Sequence, residues 1–137
     1  MAENDWNAKI IEEFRANDGK VGGPFEGAHL LLLHTTGAKT GREHVTPVMY
    51  RPITGGYAVF ASKAGAPTNP AWYHNLVANP SVQAEIGAQT LRLTARVADN
   101  AEREPIWSVQ KHEYPGFRDY EEKTSRQIPV VILEPAD

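Results

Sequence analysis

The chain has 137 residues, 41% of them hydrophobic, and a net charge of −3. That fits one folded domain with one core and disfavours both disorder and a general nucleic-acid role. It has no cysteine, which excludes disulfides, thiolate metal ligands and a cysteine nucleophile and suits a reducing cytoplasm.

The first segment, "NDWNAKIIEEFRAN" (4–17), reads as a helix. Asn4 or Asp5 can cap it, and Trp6, Ile10 and Phe14 recur at helical spacing. It is expected to pack on the domain, with a membrane or partner contact as the alternative. The start is too acidic and polar for a signal peptide, and no apolar run approaches membrane-spanning length. "DGKVGGPFEG" follows with no helix or strand pattern. Residues 1–26 are therefore set apart as an N-terminal helix and lead-in, and 27–137 as the main domain.

"AHLLLLHTTG" is a continuous apolar run of strand length and predicts a buried strand. "EHVTPVMYRP" is β-rich, and Pro47 inside it predicts an edge position or a bulge. "GYAVFAS" is a third strand. "NPAWYHNLVANP" predicts a short helix with Asn69 as cap and Pro70 in the first turn. "VQAEIGAQTLRLTARV" alternates on both sides of a glycine turn, so it predicts a hairpin. "ADNAEREPIWSVQKHEY" is a helix entered through Asp99 or Asn100. "PGFRDYEEKTSRQ" is a turn with at most a helical turn, and "IPVVILEP" is a last strand. No regular βαβ alternation appears, which disfavours a doubly wound sheet. The fold class is mainly β (α+β): a small closed or split β-barrel with peripheral helices.

Charge is uneven along this chain. Residues 1–26 hold six acids and three bases, and 82–137 hold ten acids and seven bases. Residues 27–81 hold Glu43 alone against Lys39, Arg42, Arg51 and Lys63. A positive middle in an acidic chain points to a local anion site.

Two loops there fit one. "GAKTGR" (37–42) sets Lys39 and Thr40 between glycines, with Arg42 next. Glycine backbone can turn N–H groups onto an anion while the bases supply charge. A flexible hairpin tip with solvated bases is the other reading. A Walker A loop is rejected, because Leu32 stands where that motif needs glycine and a strand follows rather than a helix. "SKAGAPTNP" (62–70) repeats the pattern before a helix start: a hydroxyl, Lys63, small residues. Its other reading is an ordinary strand-to-helix connection.

His29, His34, His44, His74 and His112 show no metal-ligand spacing, so no metal is expected. His44, close to Arg42, is kept as a phosphate neighbour. Ser62 lacks a nucleophile elbow. Tyr114, Phe117 and Tyr120 recur at spacing three. On one helical turn they would form either core packing or an aromatic wall for a flat ring. No residue offers strong acid–base, nucleophilic or metal chemistry, so a cofactor would carry any reaction.

"TTGAKTGREHVTPVMY", "FASKAGAPTNPAWYHNLVANPSVQ" and "TSRQIPVVILEP", in this order, resemble the deazaflavin-dependent nitroreductase family of actinobacterial and related F420-dependent reductases. The resemblance runs from about residue 30 to 133. It implies a split β-barrel related to FMN-binding oxidases and the cofactor F420, a deazaflavin with a phosphate and an oligoglutamate tail. It implies that Lys39, Thr40, Gly41 and Arg42 hold the anionic part. Ser62, Lys63, Ala64, Gly65 and Ala66 would line the loop against the cofactor. Asn69, Pro70, Trp72, Tyr73 and Asn75 would complete the helix start, and Pro47 and Val48 would approach the ring. The implied reaction is hydride transfer from reduced F420 to a quinone or nitroaromatic acceptor. Met49, Tyr114, Phe117 and Tyr120 would stand on the acceptor side, with Ser62 and Tyr120 placed as catalytic.

Family members known for prodrug reduction are expected to carry tyrosines near 49 and 117. Met49 and Phe117 remove both hydroxyls, which disfavours nitroimidazole reduction and remains compatible with a quinone. The resemblance also implies a cytoplasmic protein that approaches the membrane to reach a lipid quinone, and a homodimer, as split-barrel relatives often form. The alternatives are an FMN-dependent split-barrel reductase and a non-catalytic F420 carrier. Lys39, Arg42 and Lys63 offer more charge than one FMN phosphate needs, which favours F420.

Overall fold

A strand built from Leu30 to Leu33 carries apolar side chains on both faces, so it must be covered on both sides. The same holds for Val130 to Leu133. The structure, a computed structural model, describes residues 2–21 and 29–136, with side chains for 8–21, 29–63 and 65–136. Six antiparallel strands supply one side of that cover: β1 (Leu30–Thr36), β2 (Glu43–Ile53), β3 (Gly56–Phe60), β4 (Ser81–Ile86), β5 (Gln89–Val97) and β6 (Val130–Pro135). They close into a barrel in the order β1-β2-β3-β6-β5-β4. Leu31, Leu33, Val59, Val82, Leu93, Val131 and Leu133 pack together as its interior.

Helices cover the outer face. α1 (Ala2–Ala16) sets Ile10 and Phe14 on Leu30 and Leu32. α3 (Asn100–Glu113) and α4 (Gly116–Lys123) bring Trp107 and Phe117 onto Ala58, Phe60, Val130 and Ile132. α2 (Ala71–Ala78) differs: its Trp72 and Leu76 join the interior cluster. Thus each doubly apolar strand has the barrel interior on one face and a helix on the other.

Pro47 fits the sheet because of a gap in the pairing. Glu43 to Met49 pair with β1, whereas β3 pairs with Tyr50 to Ile53. Pro47 therefore lies on a one-sided stretch, where a missing N–H costs little. The β4–β5 hairpin turns at Gly87 (φ +59) with Ile86 opposite Gln89, as expected from the sequence.

Three expectations need correction. α1 starts at Ala2, ahead of the caps expected at Asn4 and Asp5. α4 is a helix of eight residues, not a single turn. Pro70, rather than Asn69, holds the N-cap position of α2, and no side chain caps it. The Trp6 side chain and the lead-in residues 22–28 lie outside the described residues.

Candidate functional site

The β1–β2 hairpin loop, residues 37–42, is closed by its own backbone. Gly37 N–H donates to Arg42 O at 2.7 Å and Gly41 N–H to Gly37 O at 2.9 Å. Glycine is needed at both ends. A Cβ on Gly37 would meet Thr40 Oγ1 at 2.6 Å and His44 Nε2 at 3.0 Å. Gly41 has φ +70, where a side chain is strained.

Asn75 on α2 fastens this loop to the helix. Its Oδ1 accepts from Ala38 N–H at 3.0 Å, and its Nδ2 donates to Thr35 Oγ1 at 3.3 Å. Asn79 Nδ2 adds a bond to Thr36 O at 3.3 Å. Loop and helix so held enclose a cleft of about 610 Å³, within the usual size of a small-molecule site, about 300–1,000 Å³. Lys39, Thr40, His44 and Thr46 line one side, and Ala71, Trp72, His74 and Asn75 the other. Its wall is mostly apolar, with one ammonium and two imidazoles at the margin. This suits a flat ring carrying an anionic group. A hollow of about 350 Å³ beside His34, Glu43, Gln83 and Arg92 is smaller and polar, and it lacks the loop glycines.

The second loop follows β3. Ser62, 8% exposed, stands at the N-cap of a 3₁₀ turn, Lys63–Gly65. Lys63 is exposed with φ +46, and its Nζ reaches Thr68 Oγ1 at 3.4 Å. Gly65 (φ +82) presses on α4: a Cβ there would lie 2.9 Å from Tyr120 O and 2.9 Å from Lys123 Cβ. The loop thus touches the backbone of Tyr120. From behind, the Arg126 guanidinium donates to Ala61 O, Ser62 O, Ala66 O and Asn69 Oδ1 at 3.1, 2.9, 3.0 and 2.7 Å. Burial draws its pKa below the ordinary guanidinium value. Asn69, expected as a helix cap, instead spends its carbonyl oxygen on Arg126.

The aromatic series is split. Tyr114 ends α3, Pro115 intervenes, and Phe117 and Tyr120 sit on α4 with ring centroids 5.4 Å apart. Phe117 is 7% exposed and packs on Phe60 and Trp107, so it belongs to the core rather than to an open wall. Tyr114, Tyr120 and Met49 are half-buried at the margin of that cluster. α4 is locked onto α3 by Glu121. Burial opposes the charge of its carboxylate, but hydrogen bonds from Trp107 Nε1 (2.5 Å) and Lys111 Nζ (3.0 Å) hold its pKa below the usual range.

Of the residues singled out in the sequence, the larger cleft gathers Lys39, Thr40, Trp72 and Asn75. Gly41 and Arg42 belong to the same loop but are not among its lining residues. Val48 and Tyr73 pack against the interior cluster, and Pro47 lies on the one-sided stretch of β2. Ser62, Lys63, Gly65, Ala66 and Asn69 form the second loop, with buried Pro70 between it and α2. The Ala64 side chain lies outside the described residues.

Sequence reasoning left out Gly37, Ala38, Thr46, Ala71, His74 and Arg126, and held His44 only as a neighbour. His74 carried a signal, since Ala71, His74 and Asn75 have the spacing of one helix face. Arg126 stands in the quoted "TSRQIPVVILEP", but local spacing does not point to its partners Ala61 and Asn69, which lie 65 and 57 residues away.

Comparison with known proteins gives a consistent result. The profile of a family described as F420H(2)-dependent quinone reductase matches residues 6–135. A Mycobacterium tuberculosis protein described as an F420H(2)-dependent quinone reductase is 38% identical over 124 residues, covering 88% of this chain and 83% of that one. A solved F420-H2 dependent reductase is 42% identical with a TM-score of 0.70, covering 77% of this chain and 93% of its own. A domain-swapped dimer is 38% identical with a TM-score of 0.72, covering 96% and 99%. A putative pyridoxamine 5′-phosphate oxidase from Listeria innocua, 12% identical with a TM-score of 0.58 and coverage of 96% and 94%, shares the fold alone.

Proposed function

This chain belongs to the F420H2-dependent quinone reductase family, and from that premise we propose that it passes a hydride from reduced F420, held between the 37–42 loop, α2 and the 62–66 loop, to a quinone. The cleft of about 610 Å³ with Lys39 at its rim carries this reading. It combines an apolar wall with a cation on the 37–42 loop. That donor set fits a flat ring with an anionic appendage.

When bound, F420 supplies the hydride from its deazaflavin ring. The protein's work is placement and exclusion of water. Lys39 and Lys63 would hold the anionic oxygens of the cofactor. Ala38, Ala71 and Trp72 would present carbon to the ring, and the 62–66 backbone would line it from the other side. Ser62 and Tyr120 orient the acceptor, and the Tyr120 hydroxyl can donate a proton to a reduced quinone oxygen. With Met49 in place of a hydroxyl-bearing residue, the acceptor side favours a quinone over a nitroimidazole.

Among the described residues no helix is long and apolar enough to cross a membrane. We place the protein in the cytoplasm, meeting lipid quinone at the membrane face. A homodimer is also part of this reading, supported by the dimeric relative and by the one-sided β2 stretch.

The test is a fluorescence titration with oxidised F420, with FMN in parallel, for wild type and Lys39→Ala. Tighter binding of F420 than FMN, weakened in the variant and less salt-sensitive there, is the expected result. An unchanged dissociation constant would remove Lys39 from the site, and a preference for FMN would overturn the cofactor assignment.

A further inference from the structure

Resting on the reading that the 62–66 loop faces the cofactor, we infer that Arg126 is the positioning residue that presents this loop. The loop has little of its own to hold it. Its 3₁₀ turn is three residues long and has no side-chain cap. Lys63 sits at φ +46, a conformation that a residue with a Cβ disfavours. Something outside the loop must fix that shape.

Arg126 does so with one planar fork. It gathers the carbonyls of Ala61 and Ser62 at the loop's entrance, Ala66 at its exit, and Asn69 just before α2. In a trans peptide the N–H points opposite to the C=O, and no peptide bond described here is cis. Drawing the Ala61 and Ser62 carbonyls inward therefore turns the N–H groups of Ser62 and Lys63 to the other side of the backbone, away from the guanidinium. Ser62 in the right-handed region followed by Lys63 in the left-handed one is the backbone pair that makes an anion-binding concavity.

The charge supports the same role. None of the four oxygens that Arg126 binds belongs to a carboxylate, and a guanidinium stays protonated. Its positive charge therefore stands behind the loop without a neutralising partner among those bonds. Lysine could supply the charge but not the fork, because the four acceptors are shared among Nε, Nη1 and Nη2 and a single ammonium has only three donors on one nitrogen. Arg126 acts through the loop and is not itself placed against the cofactor.

The test uses Arg126→Lys and Arg126→Gln in the full chain, with two readouts. The first is amide hydrogen exchange without cofactor. Gly65 and Ala66 N–H donate within the loop to Ser62 O and Lys63 O, so their protection reports loop order. In both variants they should exchange about tenfold faster or more, the loss of one charge-assisted hydrogen bond, while β1 amides stay as in wild type. The second is F420 titration. The dissociation constant for F420 should rise by about tenfold or more in Arg126→Lys despite its retained charge.

Unchanged loop exchange in a folded Arg126→Lys overturns the inference. So does a loosened loop with unchanged F420 affinity, and so does failure of both variants to fold, which would make Arg126 a core residue. If wild type itself does not bind F420, the proposed function fails, and hydrogen exchange alone still decides whether Arg126 orders the loop.

Discussion

Asn75 joins the two walls of the cleft, and its removal should be felt before any cofactor is added. Its amide bonds Ala38 N–H at 3.0 Å and Thr35 Oγ1 at 3.3 Å. Thr35 is 2% exposed, so its hydroxyl has little access to water once Asn75 is gone. A neutral hydrogen bond contributes about 1 kcal/mol net, and leaving a buried group unpaired costs about 1–3 kcal/mol. Ala38 is exposed and can turn to water, so its loss lies at the low end. The two together come to about 2 kcal/mol for Asn75→Ala. In a chain of 137 residues that lowers Tm by about 6–8 °C.

The assay is thermal unfolding by circular dichroism without cofactor, paired with F420 titration. Asn75→Asp separates the strut from the ligand contact. It keeps the acceptor for Ala38, and Thr35 can donate to it, so Tm should stay near wild type. Its negative charge should still weaken binding of an anionic cofactor. Weakened F420 binding in Asn75→Ala with an unchanged apo Tm would refute the reasoning and make Asn75 a ligand only.

Three further outcomes follow from the geometry. Gly65→Ala puts a Cβ 2.9 Å from Tyr120 O at φ +82, and the backbone strain and overpacking should cost about 2–4 kcal/mol in urea unfolding; an unchanged midpoint would mean that the loop moves freely from α4. Tyr120→Phe should lower turnover and leave F420 affinity near wild type, whereas lost affinity with normal turnover would contradict its acceptor-side role. The hydrogen bonds from Arg15, and then from His34, hold the Glu85 carboxyl below its ordinary value near 4.5 although burial opposes them. A carboxylate with a lowered folded pKa stabilises fully above its unfolded value and loses that contribution as pH falls through the folded one. Glu85→Gln should therefore be less stable than wild type at neutral pH, and the difference should shrink as pH falls through the lowered folded pKa of Glu85; a constant difference across that fall would contradict this.

The sequence made the barrel readable where burial was two-sided or where a residue was chemically restricted. The unbroken apolar runs at Leu30 and Val130 marked strands covered on both faces. Pro47 marked the stretch of β2 with one neighbour, because it lacks the donor that a second neighbour would need. Gly87 marked the hairpin turn. The two site loops were visible in Lys39 and Lys63 among small residues.

What the sequence hid depends on distant partners. Asn69 looks like a cap beside Pro70, but Arg126, 57 residues along the chain, takes its oxygen. Phe117 keeps the spacing of Tyr114 and Tyr120, yet Pro115 separates two helices and turns Phe117 into the core. Gly65 reads as a flexible loop glycine, whereas it is required by the close approach of Tyr120. Local spacing reports which face a side chain takes within one element. It does not report which segment comes to meet that face.

The most direct test of the central claim is a single-turnover experiment in which reduced F420 is mixed with the protein and menadione under anaerobic conditions. The account predicts that oxidised F420 appears in proportion to the protein and only when the quinone is present, and that Lys39→Ala slows it at low cofactor concentration. Binding of F420 with no protein-dependent oxidation in the presence of menadione would contradict the account and make the protein a carrier.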